Sequence, residues 1–546
     1  MSSEFKIDTS RIPLWAALVP IAVLIGLLGV NVWLYGEDSS YGPNQISLLM
    51  AAAAAAIIGL FLKIPFAQMI SGVEKAIGSA LTAMLILLLI GSLAGTWMMS
   101  GVVPAMIYYG LDILNPQIFL FASAVVCAIV SVATGSSWST VATVGIALLG
   151  IGTALGVGLP LTAGAIISGA YFGDKISPLS DTTNLAAAMA GTDLFTHIKY
   201  MLWTTVPSFI IACGIYLAIG YGGDGAVAVA DTGALKAEVL SHYKTLSPIL
   251  FLVPLAVLVL VIMKVDAVAA LFVGAVLGGV FAIAFQSPMI TKISGLDESE
   301  SYVKRSYVAF TNSMAFETKA VSGEEVDQYT AELAAGRLAA ARVQYDKPEL
   351  TQEEFDAGEF PVEAKFPELE AKIATASLLK GKGMLGMLNT IWLIITAMCF
   401  GGVMEATGLL RRITEPLIRL AKTDGSLVAT TTGTCLFVNA TASDQYLAIV
   451  VPGRMFRETY EERDLAPENL SRTLEDSATV TSVLIPWNTC GAAQSSVLDV
   501  QTILYAPYCF FNWISPLMTM FFGMTGIGVK RLSDLSDRKT AVDDNE

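Results

Sequence analysis

Twelve long apolar runs divide this chain, and a run of about 20 such residues is what an α-helix needs to cross a bilayer. They fall at 12–34, 46–62, 78–99, 116–158, 161–190, 197–220, 247–263, 266–286, 384–406, 426–453, 473–495 and 502–528. Lipid offers no water to satisfy backbone N–H and C=O groups, so segments of this length must bond internally, as helices. The composition agrees: 54% of the 546 residues are hydrophobic and 14% charged, against about 25% charged in soluble domains. The expected fold class is an all-α polytopic membrane protein. A soluble enzyme, a nucleic-acid binder and a disordered protein are excluded.

A net charge of −15 further opposes nucleic acid, which demands a basic face. Much of the acidity is local: between Gln286 and Gly383, 17 Asp/Glu face 11 Lys/Arg. Six cysteines, none in a CxxC pair, read as apolar packing residues. His197 and His242 fall at a membrane edge and in an outer loop on the map of spans, which leaves no His-based chemistry. The first run follows Lys6 and Arg11 but is too long for a signal peptide. Asn31-Val32-Trp33-Leu34-Tyr35 offers no small-residue cleavage site either, so a retained first helix is expected.

Orientation follows from Lys and Arg in the short loops. Lys63, Lys75, Lys199, Lys264, Arg411, Arg412, Arg419 and Lys422 mark one side together with the tail, whereas 35–45 and 99–115 contain neither residue. Both termini are therefore expected in the cytoplasm. On this threading the 116–158 run must leave the membrane on the side it entered, as a hairpin broken near Thr134-Gly135-Ser136-Ser137. The 426–453 run mirrors it, with its break at 439–444. At 28 residues it is too short for two full spans, so a re-entrant loop is expected.

Each hairpin precedes a span interrupted by polar residues and proline: 161–190, broken at 173–184, and 473–495, broken between Glu475-Asp476 and Pro486-Trp487-Asn488-Thr489. The plan is two inverted-topology repeats, with binding where the broken elements meet near the midplane. The divisions are 1–220 for the first repeat, 221–246 for an extracytoplasmic loop and 247–286 for the start of the second repeat. There follow an acidic extracytoplasmic insertion (287–383), the rest of the second repeat (384–529) and a cytoplasmic tail (530–546). The insertion reads as a partly helical, solvated linker without a binding role.

A carboxylate at the centre of a membrane helix costs about 2.5–3.5 kcal/mol, so one kept there usually faces a cavity, an ion or a partner. Asp174 and Asp181 stand in the first broken span with Lys175, Ser177, Pro178, Thr182 and Asn184. Proline frees a carbonyl, and an unwound turn then offers a cation hard oxygen ligands. Na⁺ is placed at Asp174, Ser177 and Asp181; the bland alternative is a kink with Asp174 and Lys175 at the interface. Asp476 and Asp444 are the other expected ion or proton carriers. Glu475 lines the site, unless Glu475 and Asp476 form a solvated helix turn beside Arg472. Thr134, Ser136, Ser137, Asn439, Thr441, Ser443, Asn488 and Thr489 line it too, or simply bond to backbone carbonyls between helices. Glu405 is expected to pair with Arg411 at the interface. No Arg is expected in the site. Competition of Na⁺ and H⁺ for shared carboxylates gives exchange without further machinery.

Gly-Ala-Tyr-Phe-Gly-Asp-Lys-Ile-Ser-Pro-Leu-Ser-Asp-Thr-Thr-Asn at 169–184 closely resembles the signature of the NhaC-type Na⁺/H⁺ antiporter family. Thr134-Gly135-Ser136-Ser137-Trp138 and the stretch from Glu475-Asp476 through Pro486-Trp487-Asn488-Thr489-Cys490-Gly491 look like its other landmarks. The resemblance implies paired hairpins, elevator motion, a possible homodimer and residence in the bacterial cytoplasmic membrane. It also implies Na⁺ and H⁺ as transported ions. No cofactor is expected, and the lack of GxSxG, HExxH or paired aspartates on adjacent uninterrupted helices argues against an enzyme. That family includes exchangers of malate, lactate and amino acids, so a coupled carrier of a small organic acid or amino acid stands as the alternative. The insertion at 287–383 departs from the shorter family pattern.

Overall fold

In a computed structural model, the described residues are 12–533 apart from 36–37, 40, 114, 223–231, 264, 359 and 363. Lys6, Arg11, Lys264 and the tail from 534 onward, which entered the orientation argument, lie outside them. The described chain is almost wholly helical, and eight of its helices are long and apolar enough to cross a membrane. The order begins with α1 (Leu14–Tyr35), α2 (Pro43–Phe61), α3 (Phe66–Ser100) and α4 (Val102–Ile113). The 99–115 segment, expected as a loop, is thus mostly helix. At 1.5 Å per residue the 35 residues of α3 reach about 52 Å, more than an apolar core needs, so its polar end carries Glu74 and Lys75.

Next come α5 (Pro116–Thr134) and α6 (Ser137–Ala154), then α7 (Leu159–Ile176), α8 (Asp181–Ala190) and α9 (Leu194–Gly222). Gly135 separates α5 from α6 with φ +66°, and a Cβ there would lie 2.5 Å from that of Leu179. Both the left-handed turn and the close approach require glycine. The two helices double back, since a Cβ on Gly152 would meet the Phe119 ring at 2.9 Å. α5 and α6 thus form a helical hairpin that turns at Gly135.

The expected 221–246 loop contains α10 (Thr232–Ser241), and α11 (Pro248–Ile262) and α12 (Ala267–Phe285) follow it. The 287–383 segment folds as α13 (Ser287–Ser294), α14 (Tyr302–Ala315), β1 (Thr318–Lys319), α15 (Gly323–Gln344), α16 (Gln352–Ala357), α17 (Pro367–Leu378) and β2 (Lys380–Gly381). The strands pair antiparallel, Thr318 opposite Gly381. This is more than a linker. Its backbone is seated on α3, where Cβ atoms on Gly91 and Gly95 would lie 2.2 Å from Gly383 O and 1.9 Å from Ser313 O. Small residues are what allow backbones to approach so closely in a membrane fold.

The last part comprises α18 (Leu385–Ala406), α19 (Leu409–Thr414), α20 (Asp424–Thr441), α21 (Gln445–Glu462), α22 (Pro467–Leu474), α23 (Thr489–Leu498), α24 (Thr502–Tyr505) and α25 (Phe510–Thr525). The second hairpin, α20 and α21, is two 18-residue helices, longer than the 28 residues expected of it. The polar residues Arg454 to Glu462 continue α21 instead of ending it. Arg463 at its far end reaches back to Asp424, 3.7 Å away, so the pair is antiparallel. The element order of the first half, a hairpin and then a broken helix, recurs here.

Lys380 and Lys382 hold Asp499, just past α23, at 2.8 Å each. Partial burial alone would raise the Asp499 carboxyl; Lys382 and Lys380 outweigh it and hold the group down at about 2. Its contribution is therefore complete above the ordinary carboxylate range and is lost as pH falls through about 2. Exposed pairs of this kind contribute about 0–1 kcal/mol. The variant K380A/K382A is expected to melt within about 2 °C of the parent while amide exchange rises around residues 380–383 and 496–501. A loss of global stability would contradict this.

Candidate functional site

The first broken helix loses its backbone ladder at Ser177 to Ser180, between α7 and α8. Ser177 fills the gap with its side chain: the hydroxyl donates to Val132 O at 2.9 Å and accepts from Leu179 N at 3.3 Å. Asp174, at the end of α7, accepts from the backbone N–H of Ser137 at 3.0 Å. That places a buried carboxylate on the first turn of α6, where free N–H groups and the helix dipole favour an anion.

The second broken helix opens differently. After α22 the backbone passes through a π turn (Glu475–Thr479) and one short turn (Val480–Ser482), then unwinds until Asn488 caps α23. Side chains take up the freed carbonyls, as a buried backbone requires. Asn439 donates to Ala478 O at 2.6 Å, Asn512 to Val480 O at 2.8 Å and Tyr505 to Val483 O at 3.0 Å. The hairpin tip is stitched to the break by Thr489 N to Ser443 O at 2.9 Å, Asn488 Nδ2 to Asn439 O at 3.0 Å and Trp487 Nε1 to Ala440 O at 2.7 Å.

Between the two breaks lies a run of buried charge. Lys175 forms an ion pair with Asp476, and both side chains are wholly buried. Lys175 also donates to Ser515 Oγ at 2.9 Å, and Thr204 Oγ1 donates to Asp476 Oδ2 at 2.8 Å. The rings of Phe172, Phe209 and Phe511 pack together, with Lys175 Nζ 5.6 Å from the centre of Phe511. Next along the chain, Glu475 is buried and accepts from Thr182 Oγ1 at 3.0 Å through one oxygen, while its Oε2 has no partner. Thr182 in turn meets Ser180 Oγ at 3.1 Å, and Ser180 lies beside Asp174. Hydroxyls thus connect Asp174 to Glu475 between the two broken helices.

The remaining expected residues are distributed unevenly. Asp181 and Asn184 are exposed on α8, and Asn184 donates to Ser180 O at 2.7 Å. Asp444 is buried and caps its own helix, accepting from Leu447 N at 2.9 Å. Ser136 caps α6, Thr134 meets Thr140 Oγ1 at 3.2 Å, and Thr441 bonds back to Phe437 O at 2.8 Å. Ser443 takes φ +59° at the second tip with its hydroxyl unpartnered, and Thr489 touches Asn488 Oδ1 at 3.4 Å. Among the described residues no three His, Cys, Asp or Glu side chains are grouped as a metal site.

Two expectations need correction, and one alternative falls away. Glu475 and Asp476 are buried with the rest of the π turn, so the alternative of a solvated turn does not hold. Glu405 is exposed, and Arg411 pairs with Glu415 instead, one turn further along, at 2.9 Å. His197 is wholly buried, its Nδ1 2.8 Å from Ser471 Oγ. An arginine does lie in this region: Arg472 is wholly buried 4.6 Å from the Tyr200 ring, one turn of α9 from Thr204, which bonds Asp476. Thr204 and Ser515 were missed, since single hydroxyls in apolar helices carry no signal. Lys175 had one, as a lysine inside an apolar span.

Residues 169–298 and 366–527 match the Na⁺/H⁺ antiporter family. The chain is 34% identical to "Na(+)/H(+) antiporter NhaC" of Alkalihalophilus pseudofirmus, over 91% of this chain and 93% of that one. It is 30% identical to "Malate-2H(+)/Na(+)-lactate antiporter" of Bacillus subtilis, over 89% and 90%. It is also 32% identical to "Arginine/ornithine antiporter ArcD" of Halobacterium salinarum, over 93% and 91%. These relatives are transporters, not enzymes, and both the matched segments and the identities extend across the two broken elements. This multi-pass membrane protein belongs to the Na⁺/H⁺ antiporter family.

Proposed function

We propose that the chain extrudes cytoplasmic Na⁺ in exchange for external H⁺ across the bacterial cytoplasmic membrane, with both termini inside. The observation that carries this reading is the buried Lys175–Asp476 pair next to buried Glu475, whose second oxygen is free. Na⁺ binds between Asp174 and Glu475, and the hydroxyls of Ser180 and Thr182 supply further hard oxygen ligands. The same carboxylates take protons when Na⁺ leaves, so the two ions exclude each other. Lys175 pairs with Asp476 and can surrender it as the cation arrives. The two repeats run in opposite directions across the membrane and supply alternating access. Asp181 and Asp444 flank the approach to Asp174. A homodimer in the lipid bilayer is part of the proposal.

The test uses purified protein in liposomes with a trapped pH dye and an imposed proton gradient. Na⁺ is expected to dissipate the gradient in the parent. D174N and E475Q should each raise the half-saturating Na⁺ concentration at least about tenfold while leaving the protein folded, a change worth about 1.4 kcal/mol. Unchanged Na⁺ dependence in both variants would remove these residues from the site.

A further inference from the structure

Arg472 is the one fully buried arginine among the described residues, and none of its three guanidinium nitrogens has a hydrogen-bond partner. A buried charge without a counter-ion is expensive, and nearby acids normally turn toward it. Here those on its own helix are engaged elsewhere. Glu468, one turn before, faces Lys530 at 3.3 Å; Asp476, one turn after, pairs with Lys175; Glu475 reaches Thr182 with one oxygen. The cation is held by rings instead, 4.6 Å from the centre of Tyr200 and 5.8 Å from that of Phe522.

We infer that Arg472 is the anchor of a binding subsite for a small organic carboxylate. Aromatic rings engage the guanidinium through its π system, which leaves the N–H donors along its edge for an acceptor lying in its plane. A carboxylate fits that fork with two parallel hydrogen bonds. Two further buried polar atoms without partners flank the place: His197 Nε2, one turn from Tyr200, and Thr519 Oγ1, one turn from Phe522. They suit a hydroxyl or amino substituent next to the carboxylate. The subsite adjoins the charged centre, because Tyr200 and Thr204 are neighbouring turns of α9 that contact Arg472 and Asp476.

The test is thermal unfolding of the purified full chain in detergent at fixed Na⁺ and ionic strength. Sodium lactate, sodium malate and arginine are titrated against sodium chloride and uncharged lactamide. At least one carboxylate is expected to give a saturable rise of about 2 °C or more over both controls. R472Q should lose that rise. R472K, which keeps the charge but not the fork, should need at least about tenfold more ligand, and it carries the comparison if R472Q does not fold. An equal rise with chloride overturns the assignment in favour of a simple halide site. No rise with any carboxylate, or the same rise in R472Q, overturns it outright. This readout involves no transport, so the subsite and the Na⁺/H⁺ exchange can fail separately.

Discussion

Asp476→Leu is expected to destabilise the protein by about 3–5 kcal/mol and to abolish Na⁺-driven proton movement, because it strands Lys175 as an uncompensated buried charge. Adding Lys175→Met should return most of the stability and none of the transport. The physical reason is the asymmetry of buried ion pairs. Removing one partner leaves the desolvation cost of the other, whereas replacing both with apolar side chains of similar size is often neutral or stabilising. Phe172, Phe209 and Phe511 provide the apolar surroundings such a replacement needs. Denaturation of single and double variants, read beside liposome flux, separates the roles. A double variant that regains flux along with stability would show that the pair serves the fold alone. A double variant as unstable as the single would show that Ser515 and Thr204 need the charges they bond.

Gly169→Val is expected to cost about 3 kcal/mol, toward the upper end for overpacking, and to weaken Na⁺ dependence about tenfold. A Cβ at Gly169 would lie 2.0 Å from Ala124 O, and one at Gly173 would lie 2.3 Å from Ala128 O. Both obstacles are backbone, which cannot rotate aside, so α7 must move away from α5. The two glycines are four residues apart on one face of α7, the small-xxx-small spacing by which membrane helices pack closely. Asp174 follows directly, so separating the helices also draws its carboxylate from Ser137 N. Gly214→Ala on α9 is the control: nothing lies within 4 Å of its Cβ, and no loss of stability or flux is expected. If Gly169→Val unfolds with the parent and keeps its Na⁺ dependence, the close approach does not position Asp174.

The helical class was legible because lipid leaves the backbone no alternative, and the breaks were legible because Gly135, Pro178 and Asn488 punctuate runs that otherwise contain little but apolar residues. The extent of the second hairpin was not. Residues 454–462 are polar enough to read as a loop, yet they stay helical because their ladder does not depend on lipid. Glycine spacing in 169–173 was visible as part of a family string, but its use against Ala124 and Ala128 needed the packed helices.

Local chemistry therefore determined that carboxylates, hydroxyls and a lysine would accumulate where the helices break. Only the tertiary structure decided which of them meet. Lys175 and Asp476 are 301 positions apart, as Thr182 and Glu475 are 293 apart, and no periodicity within a single span encodes such a pairing. It also decided that Arg472, beside Glu475 and Asp476 in the chain, turns toward Tyr200 and Phe522. The cause is that a side chain's direction follows from its helix, but its partner follows from which other helix is packed there.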